Sequence, residues 1–216
     1  MKQRTYICLT ERLIKSIIIK RDGAMIKNRG MLIIFSGPSG VGKGTVRDLF
    51  VNDESLNLAF SISMTTRKKR PGEEDGVDYY FVDRETFEKA IENDELLEYA
   101  EFVGNYYGTP VAEVNRLRDE GKNVLLEIEV QGALQVIDKV PDALSIFLVP
   151  PNMEELKRRI INRRTESEAV INERLSKATK EMALMNQYRY VICNDDPEFA
   201  AEMVSLIIRR NIEATL

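Results

Sequence analysis

The 216-residue chain has no histidine and only two cysteines, Cys8 and Cys193. Without histidine there is no imidazole base for a serine or cysteine triad and no imidazole metal ligand, and two cysteines make neither a disulfide framework nor a zinc cluster. No apolar run approaches the roughly 20 residues that a membrane-spanning helix needs, which argues against an integral membrane protein. Internal repeats and low-complexity tracts are also missing. Whatever chemistry occurs must use carboxylates, lysines, arginines, hydroxyls and bound ions. Cysteine use this sparse points to a reducing, cytoplasmic setting.

Hydrophobic residues make up 44% of the chain and charged residues 31%, enough apolar surface to build a core and too much for disorder over the whole length. The net charge of −4 is unevenly spread: residues 1–30 carry +6 and the remainder −10. An acidic body argues against a nucleic-acid coat. Within the basic stretch, the apolar run Ile17-Ile18-Ile19 is hemmed in by Lys15, Lys20 and Arg21 and is too short for a signal-peptide core. Residues 1–30 therefore read as a weakly ordered extension ahead of a domain at 31–216, with Met25 as an alternative start.

From Met31 the pattern alternates between strand and helix, which predicts an α/β fold with a mainly parallel sheet. Strands are expected at Leu32–Ser36, Val124–Val130, Ser145–Val149 and Tyr190–Cys193, and helices at Lys43–Val51, Gln131–Val140, Met153–Asn162 and Pro197–Ile212. Tyr79–Val82, Leu97–Phe102 and Tyr106–Pro110 read as short strands around a helix at Arg84–Asn93, so residues of about 62–121 form a smaller inserted subdomain. Cys8 in the extension and Cys193 at the end of a buried strand read as inert.

The sharpest signal is Leu32–Ser36 running into Gly37-Pro38-Ser39-Gly40-Val41-Gly42-Lys43-Gly44-Thr45 and then an amphipathic stretch. A strand, a glycine-rich loop and a helix aim backbone N–H groups and the positive end of the helix at one point, where phosphate oxygens can sit. Lys43 adds a mobile charge for the β- and γ-phosphates. The strict pattern has Ser or Thr directly after the lysine; here Gly44 stands there and Thr45 follows. A nucleoside triphosphate is the expected ligand, which leaves GTPases, motor ATPases and small-molecule kinases open.

Ser61–Glu73 and Gly76–Phe81 combine Arg67 and Arg70 with Ser, Thr and Tyr hydroxyls, a set suited to a second phosphate-bearing ligand. At this point the chain resembles a guanylate kinase, from about Gly30 to near Glu213. The resemblance rests on S-x-T-T-R-x-x-R-x-G-E, G-x-D-Y-x-F, the Gly104–Thr109 stretch G-N-Y-Y-G-T, the acidic strand Leu126–Gly132 and the turn Asn194-Asp195-Asp196. It implies a P-loop three-layer fold with a mainly parallel central sheet (31–61 and 122–216), an inserted small mixed GMP-binding subdomain (about 62–121) and a mobile lid (about 152–175). The implied activity is ATP-dependent phosphorylation of GMP to GDP with Mg²⁺, free of nucleic acid and membrane partners.

Carried over residue by residue, the resemblance assigns Ser63, Arg67, Arg70 and Tyr79 to the GMP site, with both arginines and Tyr79 on its phosphate. Glu98, Tyr107 and Thr109 fall on the guanine side, and Glu129 stands where many members have Asp, near the meeting of Mg²⁺ and the acceptor. The ion's protein oxygen is left between Thr45 and Glu129, directly or through water. Arg159, Arg163 and Arg174 converge on the transferring phosphoryl group, Arg164 replaces the family's usual Gly, and Asn194 borders the ATP adenine. Two other readings share these motifs. A non-catalytic protein-binding module of the same fold generally has a degraded phosphate loop, and a sister kinase for another acceptor would lack the guanine-side pair Glu98 and Thr109.

Chain ends without packing partners are commonly dispensable. Deletion of residues 1–24 is expected to leave activity and Tm nearly unchanged; a clear fall in Tm, or a changed oligomer size on a sizing column, would contradict it.

Overall fold

The computed structural model describes residues 18–19, 25–26, 29–161 and 168–215. Cys8, Arg163 and Arg164 lie outside the described residues, as does most of the 1–30 stretch, so the expectation of a weakly ordered extension falls there too. Within that stretch β1 (Ile18–Ile19) and β2 (Met25–Ile26) pair antiparallel. Gly30 is joined to the body: its N–H donates to the Arg118 carbonyl at 2.8 Å and its carbonyl accepts from Arg118 Nε at 2.8 Å. Arg29 pairs with Asp119 at 2.9 Å.

The main sheet is five-stranded and wholly parallel, in the order β11-β10-β3-β9-β4, built from β3 (Leu32–Ser36), β4 (Leu58–Phe60), β9 (Asn123–Glu127), β10 (Leu144–Val149) and β11 (Tyr190–Cys193). Parallel sheets are covered on both faces, which is why β3 is apolar at consecutive positions instead of alternating. On one face, Ile33 and Phe35 pack with Val46 and Phe50 of α1 (Lys43–Phe50) and with Ala200, Val204 and Ile208 of α7 (Pro197–Thr215). On the other, Leu32, Ile34 and Phe147 meet Val114 and Leu117 of α3 (Val111–Asp119) and Val130, Ala133 and Val136 of α4 (Val130–Lys139).

A second sheet, in the order β6-β5-β8-β7, holds β5 (Met64–Thr65), β6 (Tyr80–Phe81), β7 (Leu96–Phe102) and β8 (Asn105–Pro110). β5 runs parallel to β6 and antiparallel to β8, and β7 and β8 form a hairpin. Over it lies α2 (Arg84–Glu92), capped by Asp83, whose carboxylate accepts from the Thr86 N–H at 2.7 Å. Phe87 of α2 stacks on Tyr106 with ring centroids 5.1 Å apart. α5 (Met153–Ile161) and α6 (Glu168–Met182) pack against each other through Leu156, Ile160 and Ala178. No helix among the described residues is long and apolar enough to cross a membrane.

Several expectations need correction. The strand foreseen as Val124–Val130 ends at Glu127, because Glu129 is the N-cap of α4 and Val130 is already its first residue. Cys193 is exposed, not buried, since β11 is an edge strand and only Ile192 of its four residues is buried. Helix α3 and the short strands β4 and β5 carried too little periodicity to be foreseen, whereas the helix expected to carry Arg174 is α6.

One buried amide ties the base of the main sheet together. Asn123 Oδ1 accepts from the Met31 N–H at 2.9 Å, and its Nδ2 donates to the Leu56 carbonyl at 2.8 Å. Asn123→Leu would strand both backbone groups, at about 1–3 kcal/mol each. It is expected to lower Tm by at least about 2–4 °C for a chain of this size; an unchanged melting curve would remove Asn123 from this role.

Candidate active site

The phosphate loop leaves the C-terminal end of β3 and enters α1 at Gly42, which adopts φ 97°. A side chain there would be strained by that dihedral, and its Cβ would come within 2.7 Å of Asn194 Nδ2. Asn194 lies beneath the loop, 1% exposed, and donates from Nδ2 to the Val41 carbonyl at 2.8 Å, while its Oδ1 has no partner among the described residues. Arg159 of α5 braces the same spot through Nη1 to Val41 O at 3.1 Å and Nη2 to Asn194 O at 2.9 Å, with Nε on Glu155 at 2.8 Å. From α6, Arg174 Nη2 donates to Ser39 Oγ at 3.0 Å.

Lys43 is folded back on the loop, its Nζ donating to the Gly37 carbonyl at 2.6 Å and the Pro38 carbonyl at 3.3 Å. Burial holds its pKa below the ordinary lysine value, opposed by the nearby carboxylates of Glu127, Glu181 and Glu129. Over the loop opens a cavity of about 550 Å³, lined by Gly37, Ser39, Gly40, Gly42, Lys43, Gly44 and Thr45 and, opposite them, by Glu127, Ile128, Glu129 and Glu181. Pro38 and Val41 are buried behind it.

A second cavity, of about 420 Å³, lies between the two sheets and brings together Ser63, Tyr79, Glu98, Tyr107 and Glu129 from the sequence-derived set. Ile128 and Glu129 line both cavities, so the two open onto a common wall. Glu98 of β7 is buried and accepts from Thr109 Oγ1 of β8 at 2.6 Å, and no salt bridge among the described residues reaches it. Desolvation raises its pKa, against the pull of the Thr109 hydroxyl. Gly132 of α4 makes the approach possible: a Cβ there would stand 2.6 Å from Glu98 Oε2.

The two arginines expected on the acceptor phosphate do not line this cavity. Arg67 makes a two-pronged pair with Glu73, Nη2 to Oε1 at 2.7 Å and Nη1 to Oε2 at 3.0 Å, and lies 5.4 Å from the Tyr79 ring centroid. Glu73 also accepts from the Arg70 N–H at 2.8 Å, and the Arg67 hydrogen bonds pull its carboxyl down to about 2. Thr45 is exposed at the cavity mouth. Among the described residues no three Asp, Glu, His or Cys side chains converge to hold a metal ion.

Three residues escaped the sequence reading. Glu127 forms an ion pair with Arg47 at 2.7 Å on the wall of the first cavity. Lys177 and Glu181 stand three and seven residues beyond Arg174, and that helical spacing is the signal that could have found them.

A glycine loop between a central parallel strand and a helix, with a second polar cavity against it, defines a P-loop nucleotide-binding protein built for two adjoining ligands. The guanylate kinase family model matches residues 29–211. The chain is 58% identical over 183 residues to the guanylate kinase of Lactococcus lactis, spanning 85% of this chain and 89% of that protein, and 57% identical over 183 residues to that of Enterococcus faecalis, spanning 85% and 90%. The crystal structure of guanylate kinase from Anaplasma phagocytophilum aligns with a TM-score of 0.62 at 37% identity over 86% of this chain and 88% of that one. The chain belongs to the guanylate kinase family.

The raised pKa of Glu98 has a consequence for stability. A carboxyl that binds its proton more tightly when folded stabilises the fold below its unfolded value, near 4.5, and that contribution is lost as pH rises through the folded value. At neutral pH and without ligand, Glu98→Gln is therefore expected to raise Tm, on the order of 2–4 °C per kcal/mol recovered. The gain over the parent protein should shrink toward pH 4.5. A variant that melts lower at neutral pH would contradict this.

Proposed function

We propose that the chain transfers the γ-phosphoryl group of ATP to GMP, releasing ADP and GDP. The observation that carries the reading is the common wall at Ile128 and Glu129: a phosphate-loop cavity on one side, and on the other a cavity floored by a buried carboxylate and hydroxyl. Two phosphate-bearing ligands seated in these cavities meet end to end there.

On the donor side, the N–H groups of Gly37–Thr45 cradle the triphosphate, and Lys43 leaves the Gly37 carbonyl for the β- and γ-phosphates. The Thr45 hydroxyl and the Glu129 carboxylate are the oxygens that would hold Mg²⁺, directly or through water, and the ion would neutralise phosphate charge there. Arg159, Arg163 and Arg174 meet the charge on the transferring group. Asn194, assigned to the border of the ATP adenine, also supports this side from beneath by holding Val41 in place.

On the acceptor side, Arg67, Arg70 and Tyr79 take the GMP phosphate, which requires Arg67 to loosen its pair with Glu73. Guanine presents N1–H and its N2 amine to Glu98, which releases the Thr109 hydroxyl so that Thr109 and Ser63 offer their protons to O6, and Tyr107 walls the pocket. An oxygen of the GMP phosphate attacks the γ-phosphorus, and the bond from that phosphorus to the β-bridging oxygen breaks, its electron pair leaving with ADP. No covalent enzyme intermediate is required; catalysis is positioning and charge neutralisation. Exclusion of water during transfer calls for closure of the small sheet and the 152–175 lid over the main sheet. The free thiol at Cys193 suits the reducing cytoplasm, where we place the reaction.

Adenine has an acceptor at N1 and no N2 amine, so AMP in the same pose sets a lone pair against the Glu98 carboxylate. Sites built on such hydrogen bonds discriminate by up to roughly 10⁴–10⁵. ADP release measured with GMP, dGMP, AMP, UMP and TMP, with Lys43→Ala as control, is expected to show strong preference for GMP. Glu98→Ala should lower kcat/KM for GMP far more than for AMP, with Glu98→Gln between. An unchanged ratio of GMP to AMP specificity in Glu98→Ala would mean that guanine is read elsewhere.

A further inference from the structure

Helix α6 presents Arg174, Lys177 and Glu181 on one face toward the phosphate loop and the wall shared by the two cavities. Arg174 reaches Ser39 Oγ. Glu181, almost wholly buried, lines the donor cavity, and its Oε2 has no hydrogen-bond partner among the described residues. Between them, Lys177 lines the acceptor cavity and its Nζ donates to Glu129 Oε2 at 2.8 Å, with Glu181 Oε1 3.7 Å away. Its charge is near enough to the donor side to depress the pKa of Lys43. Lys177 therefore stands where the two cavities join, a position that neither the sequence motifs nor the family resemblance singled out.

We propose that Lys177 is a further catalytic cation of the phosphoryl transfer, which exchanges Glu129 for the oxygens of the transferring group at the junction of the two cavities. The inference rests on the reading of the chain as a kinase of GMP.

Three observations favour the exchange. First, the pair Lys177 would give up is loosely held: its side chains are 49% and 70% exposed, and ion pairs that open to water contribute little. Second, the incoming group is a stronger partner, carrying more negative charge than one carboxylate in a site from which the ligands displace water. Third, Lys43 lines the donor cavity, whereas Lys177 is the lysine that lines the acceptor cavity among the described residues, so it is the ammonium on the acceptor side of the junction. Glu181, with its carboxylate 3.7 Å from Lys177 Nζ, gives the ammonium a second anchor at the junction. Lys177 remains protonated throughout. The bond from the γ-phosphorus to the β-bridging oxygen breaks and the bond to the GMP phosphate oxygen forms, with no proton or atom passing through the lysine.

A role limited to holding Glu129 makes a different prediction: a loosened carboxylate that lines the acceptor cavity and is offered to Mg²⁺ raises KM for GMP and the Mg²⁺ requirement, whereas loss of a cation on the transferring group lowers kcat at saturating GMP and Mg²⁺. The test uses the full chain, with ATP and GMP, as wild type, Lys177→Met and Lys177→Arg, each with its Tm measured. Lys177→Met is expected to lower kcat by about tenfold to a hundredfold, with KM for GMP and Tm little changed, as follows from removing one charge-stabilising donor. Lys177→Arg should recover most of the lost kcat. A rise in KM for GMP with kcat preserved would make Lys177 a holder of Glu129 and overturn the proposal, as would wild-type kinetics in Lys177→Met. If wild type turns over GMP, either result counts against Lys177 alone; if wild type does not, the reading of the chain as a GMP kinase fails, and this inference with it.

Discussion

Two anionic ligands have to be brought within bonding distance, in a protein whose own body is acidic. Like charges a few ångströms apart repel strongly where water is scarce, so cations must be concentrated at the junction and kept from collapsing onto the wrong partner. Each has a protein acceptor to hold it: Lys43 on the Gly37 carbonyl, Arg159 on the carbonyls of Val41 and Asn194, Arg67 on Glu73, Lys177 on Glu129. The main sheet gives these anchors a rigid base. β3 is buried on both faces and delivers the loop at its C-terminal end, while β9 beside it ends at Glu127 and hands the chain to Ile128 and Glu129 at the wall of both cavities.

The second constraint is the carboxylate at the floor of the acceptor cavity. Glu98 is buried with no cation paired to it among the described residues, and the proximity of Gly132 keeps its outer oxygen close to α4. Burial costs stability in the unliganded protein, and in the proposed pose of GMP the same burial would turn a missed hydrogen bond into strong discrimination between bases. Stability and base choice thus pull in opposite directions at one residue, which is the usual tension at a functional site.

Much of the fold was legible in contiguous residues. The β3 strand matched the apolar run Leu32–Ser36, and β11 matched Tyr190–Cys193, because a strand buried on both faces, or bounded by turn residues, announces itself locally. The phosphate loop was legible for the same reason, since its glycines and lysine do their work within nine consecutive residues. Where the signal was short or mixed it failed: β4 and β5 span three and two residues, and α3 buries Glu113 and Arg118 beside Val114 and Leu117, which blurs its apolar stripe.

What the sequence by itself determined was the α/β alternation, the phosphate loop and, through resemblance, the family. Only the tertiary structure decided which side chains meet. Arg67 faces Glu73, Asn194 lies beneath the loop, and Lys177 reaches across 48 positions in the chain to Glu129. The physical reason is that a backbone conformation is set largely by neighbours along the chain, whereas a charge answers to whatever lies within a few ångströms in space. That distance, and the burial that sets its strength, exist only once the two sheets and α6 have packed together.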